Sequence, residues 1–305
     1  MLVYFKRFYN IQFYNIHLKM ANLKEIRNRI NSVSSTMQIT SAMKMVSAAK
    51  LKKAQDAITA MRPYAEKLTE LIQNISATLE GDASGVYAEQ REVNKVLLVV
   101  VTSNRGLCGA FNANVIKATR NLIDNVYAGK QVEVLTIGKK GNDIVGKTET
   151  VLANRSDLYD NLTFANVEVV AQQIMDAFIE GTYDKVEVIY NQFKNAATQI
   201  VMTEQFLPLK PIETTSNASV EYLYEPSKEE IILNLIPASL KTQLYKAVLD
   251  SNAAEHGARM TSMHKATDNA KDLRDQLKLT YNKARQAAIT NEILEIVGGA
   301  EALNN

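Results

Sequence analysis

Residues 21–80 read ANLKEIRNRINSVSSTMQITSAMKMVSAAKLKKAQDAITAMRPYAEKLTELIQNISATLE, and their periodicity decides the fold. One heptad phase runs through Leu23, Ile30, Met37, Lys44, Leu51, Ile58, Ala65, Ile72 and Leu79. The other runs through Ile26, Val33, Thr40, Ser47, Ala54, Met61, Leu68 and Ile75. A mainly apolar 3–4 spacing sustained this far predicts a coiled-coil helix rather than the surface helix of a globule. No glycine precedes Gly81. At ~1.5 Å per residue the segment would run roughly 90 Å, so it is expected to outreach any small domain attached to it. It cannot bury its seam alone.

The other end of the chain supplies a partner. Residues 238–297 contain no proline and only Gly257 before Gly298. A seam reads Met263, Ala266, Ala270, Leu273, Leu277, Thr280, Ala284 and Ala287, with small residues that allow close helix approach. The two segments match in length and are expected to form one antiparallel pair, with the middle of the chain folded at one end. Two amphipathic helices on separate parts of a globule would be the alternative. It is disfavoured because an ordinary helix has only about 11–12 residues. The N-terminal seam is weakest at Thr40, Lys44 and Ser47, where Ile39, Met43 and Val46 form an offset apolar face. That face reads either as a local stutter or as a contact with another protein. Pro63 removes a backbone donor inside the helix, which predicts a kink.

From Val96 the pattern changes. Residues 96–101 are VLLVVV, a continuous run expected of a strand buried on both faces. Further strands are predicted at 132–137, 186–190 and 199–206, with helices at 112–127 and 164–179 and a glycine-marked loop at 138–141. Strands alternating with helices predict a mostly parallel sheet with right-handed crossovers. The expected organisation is an N-terminal coiled-coil helix at 20–80, an open, mostly parallel Rossmann-like α/β domain at 92–225 and a C-terminal coiled-coil helix at 228–303. Residues 1–19 are aromatic and basic but lack the apolar core and cleavage site of a signal peptide. They read as a non-native or disordered extension before a natural start at Met20, with a transit peptide as the alternative.

Lysine and arginine total 35 against 33 acidic residues, a net charge of +2. The basic residues concentrate in the N-terminal helix, where Lys24, Arg27, Arg29, Lys44, Lys50, Lys52 and Lys53 meet few acids. That suggests an acidic partner or simply a solvated face. The single cysteine, Cys108, excludes an internal disulfide and suits a reducing compartment. No apolar run is long enough to cross a membrane as a helix. The turn Thr102-Ser103-Asn104-Arg105-Gly106-Leu107-Cys108-Gly109 sits where an α/β fold often binds phosphate, but it matches neither glycine-rich nucleotide motif. It reads first as a tight turn needing glycine at positive φ. The histidines, His17, His256 and His264, all lie outside the α/β segment, which argues against a Cys–His pair. No Cys or His spacing suggests a metal site, and no cofactor is expected.

Motifs at both ends carry a family resemblance. Residues 24–30 (KEIRNRI) and 39–50 (ITSAMKMVSAAK) closely resemble the N-terminal helix of the gamma-subunit family of F-type, rotary ATP synthases. Residues 258–260 (ARM), 266–270 (ATDNA), 281–290 (YNKARQAAIT) and 292–300 (EILEIVGGA) are similar to its C-terminal helix. The turn 103–109, the run Tyr190-Asn191-Gln192-Phe193 and Leu207-Pro208-Leu209 match its central domain. The resemblance spans residues 20 to about 303.

The resemblance implies a non-catalytic central shaft, with the coiled coil inside a ring of three alpha and three beta subunits. The α/β domain would be a foot on the ring of c subunits, beside epsilon. Proton flow would turn the shaft and drive ATP synthesis at beta-subunit sites, on the cytoplasmic face of the bacterial inner membrane as a peripheral protein. Carried over residue by residue, Met43 would lie near an acidic loop of beta. Arg285, Gln286 and Thr290 would make a polar catch, supported by Arg259 and Glu292. Ile293, Leu294, Ile296 and Val297 would be apolar bearing contacts. Without the resemblance, the apolar residues read as seam and Arg285 as a solvated or intrahelical pair. The family turn usually carries Asp where this chain has Asn104, which puts any ion pair with Arg105 in doubt. The dithiol insertion of plastid members is absent, so thiol switching is not expected. Two rivals remain: a nucleic-acid-binding coiled coil, which near-neutral charge disfavours, and an α/β enzyme with a helical arm, which requires a ligand beside Arg105.

Overall fold

The computed structural model describes the backbone of residues 2–76, 85–209 and 228–304. It divides into two compact units, one of residues 1–44 with 263–305 and one of residues 45–262. Helices α1 (Leu2–Ser76) and α5 (Lys228–Asn304) contribute to both. Helix α1 starts upstream of the expected 20–80 segment, in a stretch with no glycine or proline to interrupt it. Both helices are continuous across their internal prolines, Pro63 and Pro237. The end of the expected N-terminal helix, 77–80, and the end of the expected α/β domain, 210–225, lie outside the described residues.

In the paired-helix unit, α1 buries or half-buries Leu23, Ile26, Ile30, Val33, Met37 and Thr40, as its heptads predict. The pairing with α5 is antiparallel: Arg27 Nη2 donates to the Tyr281 hydroxyl (2.8 Å) and Thr267 Oγ1 to Thr40 Oγ1 (2.8 Å). On α5 one expected phase holds: Met263, Ala270, Leu277 and Ala284. The other phase is shifted by one residue. Thr267, Arg274, Tyr281 and Ala288 line the seam, whereas Leu273, Thr280 and Ala287 are exposed. Arg274 is part of that shift: its guanidinium reaches the Met37 sulfur at 3.6 Å and pairs with Asp275 at 2.9 Å.

The α/β unit is built on five strands in the order β3-β2-β1-β4-β5. They are β1 (Lys95–Val101), β2 (Gln131–Ile137), β3 (Thr150–Asn154), β4 (Lys185–Phe193) and β5 (Gln199–Leu207). All pair parallel except β5, which is antiparallel to β4. Leu97, Val99 and Val101 of β1 belong to a core shared with α4 (Phe164–Ile179) and with Ile236, Leu240 and Leu244 of α5. Val96, Leu98 and Val100 join Val115 and Ile116 of α2 (Phe111–Asn121) on the opposite face. These six β1 side chains are at most 1% exposed, as a strand covered on both faces requires.

Two elements were not expected. Strand β3 lies at the sheet edge with alternating partial burial, so it lacks the continuous apolar run of a central strand. Helix α3 (Lys139–Val145) occupies the glycine-marked loop. There Gly138 has φ 112°, and a Cβ on it would stand 2.2 Å from the Thr102 carbonyl oxygen. The Gly141 N–H donates to Thr102 Oγ1 (2.8 Å). The glycines allow close approach of a helix to β1 rather than marking its absence.

Within the same unit, Leu51, Ala54 and Ile58 of α1 pack with Leu249 and Ala253 of α5. Their heptad positions are therefore filled as the sequence predicts.

Candidate functional site

The β1–α2 turn, the most distinctive sequence in the α/β segment, is organised by short polar contacts. Ser103 Oγ donates to the Arg105 carbonyl (2.7 Å), and Asn112 Oδ1 accepts from the Ser103 N–H (3.0 Å). Asn104 Nδ2 donates to the Ser156 carbonyl (2.9 Å), while its Oδ1 accepts from the Lys139 N–H (3.1 Å). An aspartate could make only the second contact, so the amide has a structural use of its own. Gly109 has φ 60°, as the tight-turn reading expects. Leu107 shares the left-handed region at φ 63°.

Arg259 lies against the inner side of this turn. It is 8% exposed and donates to the Arg105 carbonyl (2.8 Å), to the Gly106 carbonyl (3.2 Å) and to Glu255 (2.6 Å). The structure therefore packs Arg259 against this turn within the α/β unit. Burial raises the Glu255 carboxyl above its ordinary range, and Arg259, Lys50 and Arg105 oppose that rise. Burial, then the charges of Arg259 and Lys50, lower His256 to about 4. Sequence reading missed Glu255 and His256. The only signal was the i,i+4 spacing of Glu255 and Arg259 on a helix.

Cys108 is buried, and burial raises its thiol above the ordinary value, with the Ser103 hydrogen bond working against that. Asn112 Nδ2 approaches its sulfur at 3.2 Å. This is a packed thiol rather than an activated nucleophile. Among the described residues no group of three His, Cys, Asp or Glu side chains could hold a metal ion. A groove of about 220 Å³ between β3 and α4 is lined mainly by apolar side chains, among them Leu135, Leu152, Val170 and Ile174.

The other carried-over residues are accessible. In the paired-helix unit Met43 is half-buried on α1, and Ile39 one turn before it is 59% exposed. In the α/β unit Val46 is exposed. On α5, Arg285, Gln286, Thr290 and Glu292 are exposed. Ile293, Leu294, Ile296 and Val297 follow as exposed apolar side chains, Ile296 at 67%. Together they form a cluster of large exposed apolar side chains on one helix, interrupted only by Glu295. No described helix is long and apolar enough to cross a membrane.

Comparison with known proteins identifies the family. The profile of the ATP synthase family matches residues 22–303. The ATP synthase gamma chain of Flavobacterium psychrophilum is 74% identical over 285 residues, covering 93% of this chain and 99% of that one. The gamma chain of Flavobacterium johnsoniae is 73% identical, covering 93% and 100%. Among solved structures, a chain of the Euglena gracilis mitochondrial ATP synthase, in its OSCP/F1/c-ring part at rotational state 3, aligns with a TM-score of 0.69. It is 22% identical and covers 93% of this chain and 95% of that chain, a likeness of fold.

Proposed function

The chain belongs to the ATP synthase gamma-chain family, as a subunit of that complex, and on that basis we propose that it works as the central rotor shaft. In this role it couples proton flow through the membrane sector to ATP synthesis at beta subunits, and carries no catalytic residues itself. Its partners are the alpha and beta subunits, epsilon and the c-subunit ring. It acts as a peripheral protein on the cytoplasmic face of the bacterial inner membrane.

One observation carries the reading beyond family membership. The run from Arg285 to Val297 presents a polar group followed by large apolar side chains, all exposed except the half-buried Ala288 and Asn291. Arg285 offers a planar fork to a carboxylate, and Gln286 and Thr290 add neutral hydrogen bonds. Ile293, Ile296 and Val297 give a smooth apolar contact with few directional bonds, as a turning bearing needs. Met43 supplies a second contact on α1. Such contacts do work only if they differ between states of the partner, because only differential interaction shifts a conformational equilibrium.

The enzyme rival loses support from Arg259, which takes the inner side of the turn beside Arg105 and satisfies its carbonyls. Native co-purification from the membrane fraction tests the proposal. Recovery of alpha, beta, epsilon and c subunits with this chain is expected. Recovery of the chain alone, or with nucleic acid, would overturn it.

A further inference from the structure

Arg259 reaches from α5 to the β1–α2 turn with a fixed fork. Nη2 donates to the Arg105 and Gly106 carbonyls, and Nε also donates to Gly106 (3.3 Å). Glu255, one helical turn back, holds Nη1 at 2.6 Å and so aims the guanidinium. The next residue of the turn is Leu107, at φ 63°. Side chains avoid that region because Cβ crowds the carbonyl oxygen. Leu107 is 64% exposed, so burial of its side chain does not hold it there. The turn is held from both flanks instead. Before Leu107, two carbonyls are fixed on Arg259. After it, Cys108 and Phe111 pack with Ala254 and Ala258 of α5, and Gly109 lies so near Ser262 that a Cβ would stand 2.9 Å from its hydroxyl oxygen. Backbone held out of its preferred region relaxes when its restraints are removed.

We propose that Arg259 is a positioning residue: it fastens the β1–α2 turn to α5 so that the α/β fold and this stretch of α5 move as one body, and it does not itself touch a partner subunit. The role in coupling rests on the rotor reading above; the fastening itself does not. Lysine cannot replace it, because one ammonium lacks the planar fork that spans two carbonyls and a carboxylate.

The test uses the assembled complex in sealed vesicles, reading amide exchange across the turn at residues 103–114, where the Ser103, Phe111 and Asn114 N–H groups are hydrogen-bonded, and protons pumped per ATP hydrolysed. Arg259→Lys is the first variant. Arg259→Gln with Glu255→Gln is the second, and removes the fork without leaving a buried carboxylate alone. In both, exchange at the turn should rise by at least about tenfold, the factor expected for losing one hydrogen bond to a charged group. Pumping per ATP should fall while hydrolysis persists. Leu107→Gly relieves the backbone but keeps the fastening, so exchange and pumping should stay at wild-type levels. Unchanged exchange in both Arg259 variants would overturn the proposal, as would a freed turn with wild-type pumping. Loss of pumping in Leu107→Gly with the turn still protected would also overturn it, because the presented side chain would then carry the function. If the wild-type chain does not assemble with alpha and beta subunits, the rotor reading falls, and exchange in the isolated chain still decides whether Arg259 fastens the turn.

Discussion

Phe178, in the α/β unit, is fully buried, whereas Ile296, in the paired-helix unit, is 67% exposed. The two side chains are similar in hydrophobicity and stand for two uses of apolar surface in one chain. In the α/β unit, the sheet, α4 and the start of α5 enclose a core whose members are almost wholly removed from water. In the paired-helix unit, the described seam is mostly half-buried, and Leu279, Ile289, Ile293 and Val297 face outward. The first unit carries its stability within itself. The second leaves large apolar side chains in contact with water.

The largest test of that contrast is Phe178→Ala. It should destabilise the α/β unit by about 3–5 kcal/mol, the cost of an aromatic side chain plus the cavity it leaves. Urea unfolding followed by a probe in the sheet would measure it. A loss below about 1 kcal/mol would mean that the core tolerates voids as a loose seam does.

The next effect depends on pH. His256 has a folded pKa of about 4, below its ordinary 6.5, so the fold favours its neutral form. Its contribution is present above about pH 6.5 and is lost as pH falls toward about 4. Allowing for partial exposure, the loss should be about 2 kcal/mol. His256→Gln should flatten that part of the stability–pH curve, and an unchanged curve would remove His256 as its source.

A smaller effect is expected in the seam. Thr40→Val removes the acceptor for Thr267 and should cost about 1 kcal/mol, read as loss of helix pairing by thermal melting. The smallest change in stability, within about 0.5 kcal/mol, is expected for Met43→Lys and for Ile293→Ser with Ile296→Ser. Both should nevertheless lower ATP-driven proton pumping in vesicles. Wild-type pumping in both would break the contrast, since the exposed apolar surface would then have no use.

The same contrast explains what the sequence made legible. Strand β1 could be read because burial on both faces demands one residue type throughout, and VLLVVV supplies it. The α1 seam could be read because one face of a long helix repeats. Strand β3 was hidden because an edge strand buries only alternate side chains. Helix α3 was hidden because Gly138 and Gly141 serve close packing, and glycine reads the same way in a loop. On α5, Leu273 looked like the better seam residue than Arg274 because composition does not show that an arginine can sit in the seam. Arg259 shows the remaining limit. A charged residue in a helical motif carries no sign of what it touches within the chain, and only the fold shows it bonded to the β1–α2 turn. The exposed stretch from Arg285 to Val297 came from the resemblance; periodicity alone assigned its apolar residues to the seam.

The hydrogen bond between Arg27 and Tyr281 joins residues 254 positions apart. A ribosome adds about 5–20 residues per second, so the α1 seam leaves it on the order of 10–50 s before its mate exists. During that interval the half that begins the coil has no complement within its own chain. The assembly line, rather than the finished machine, is where this architecture is most exposed to mispairing, and the arrival of helix α5 is what ends the exposure.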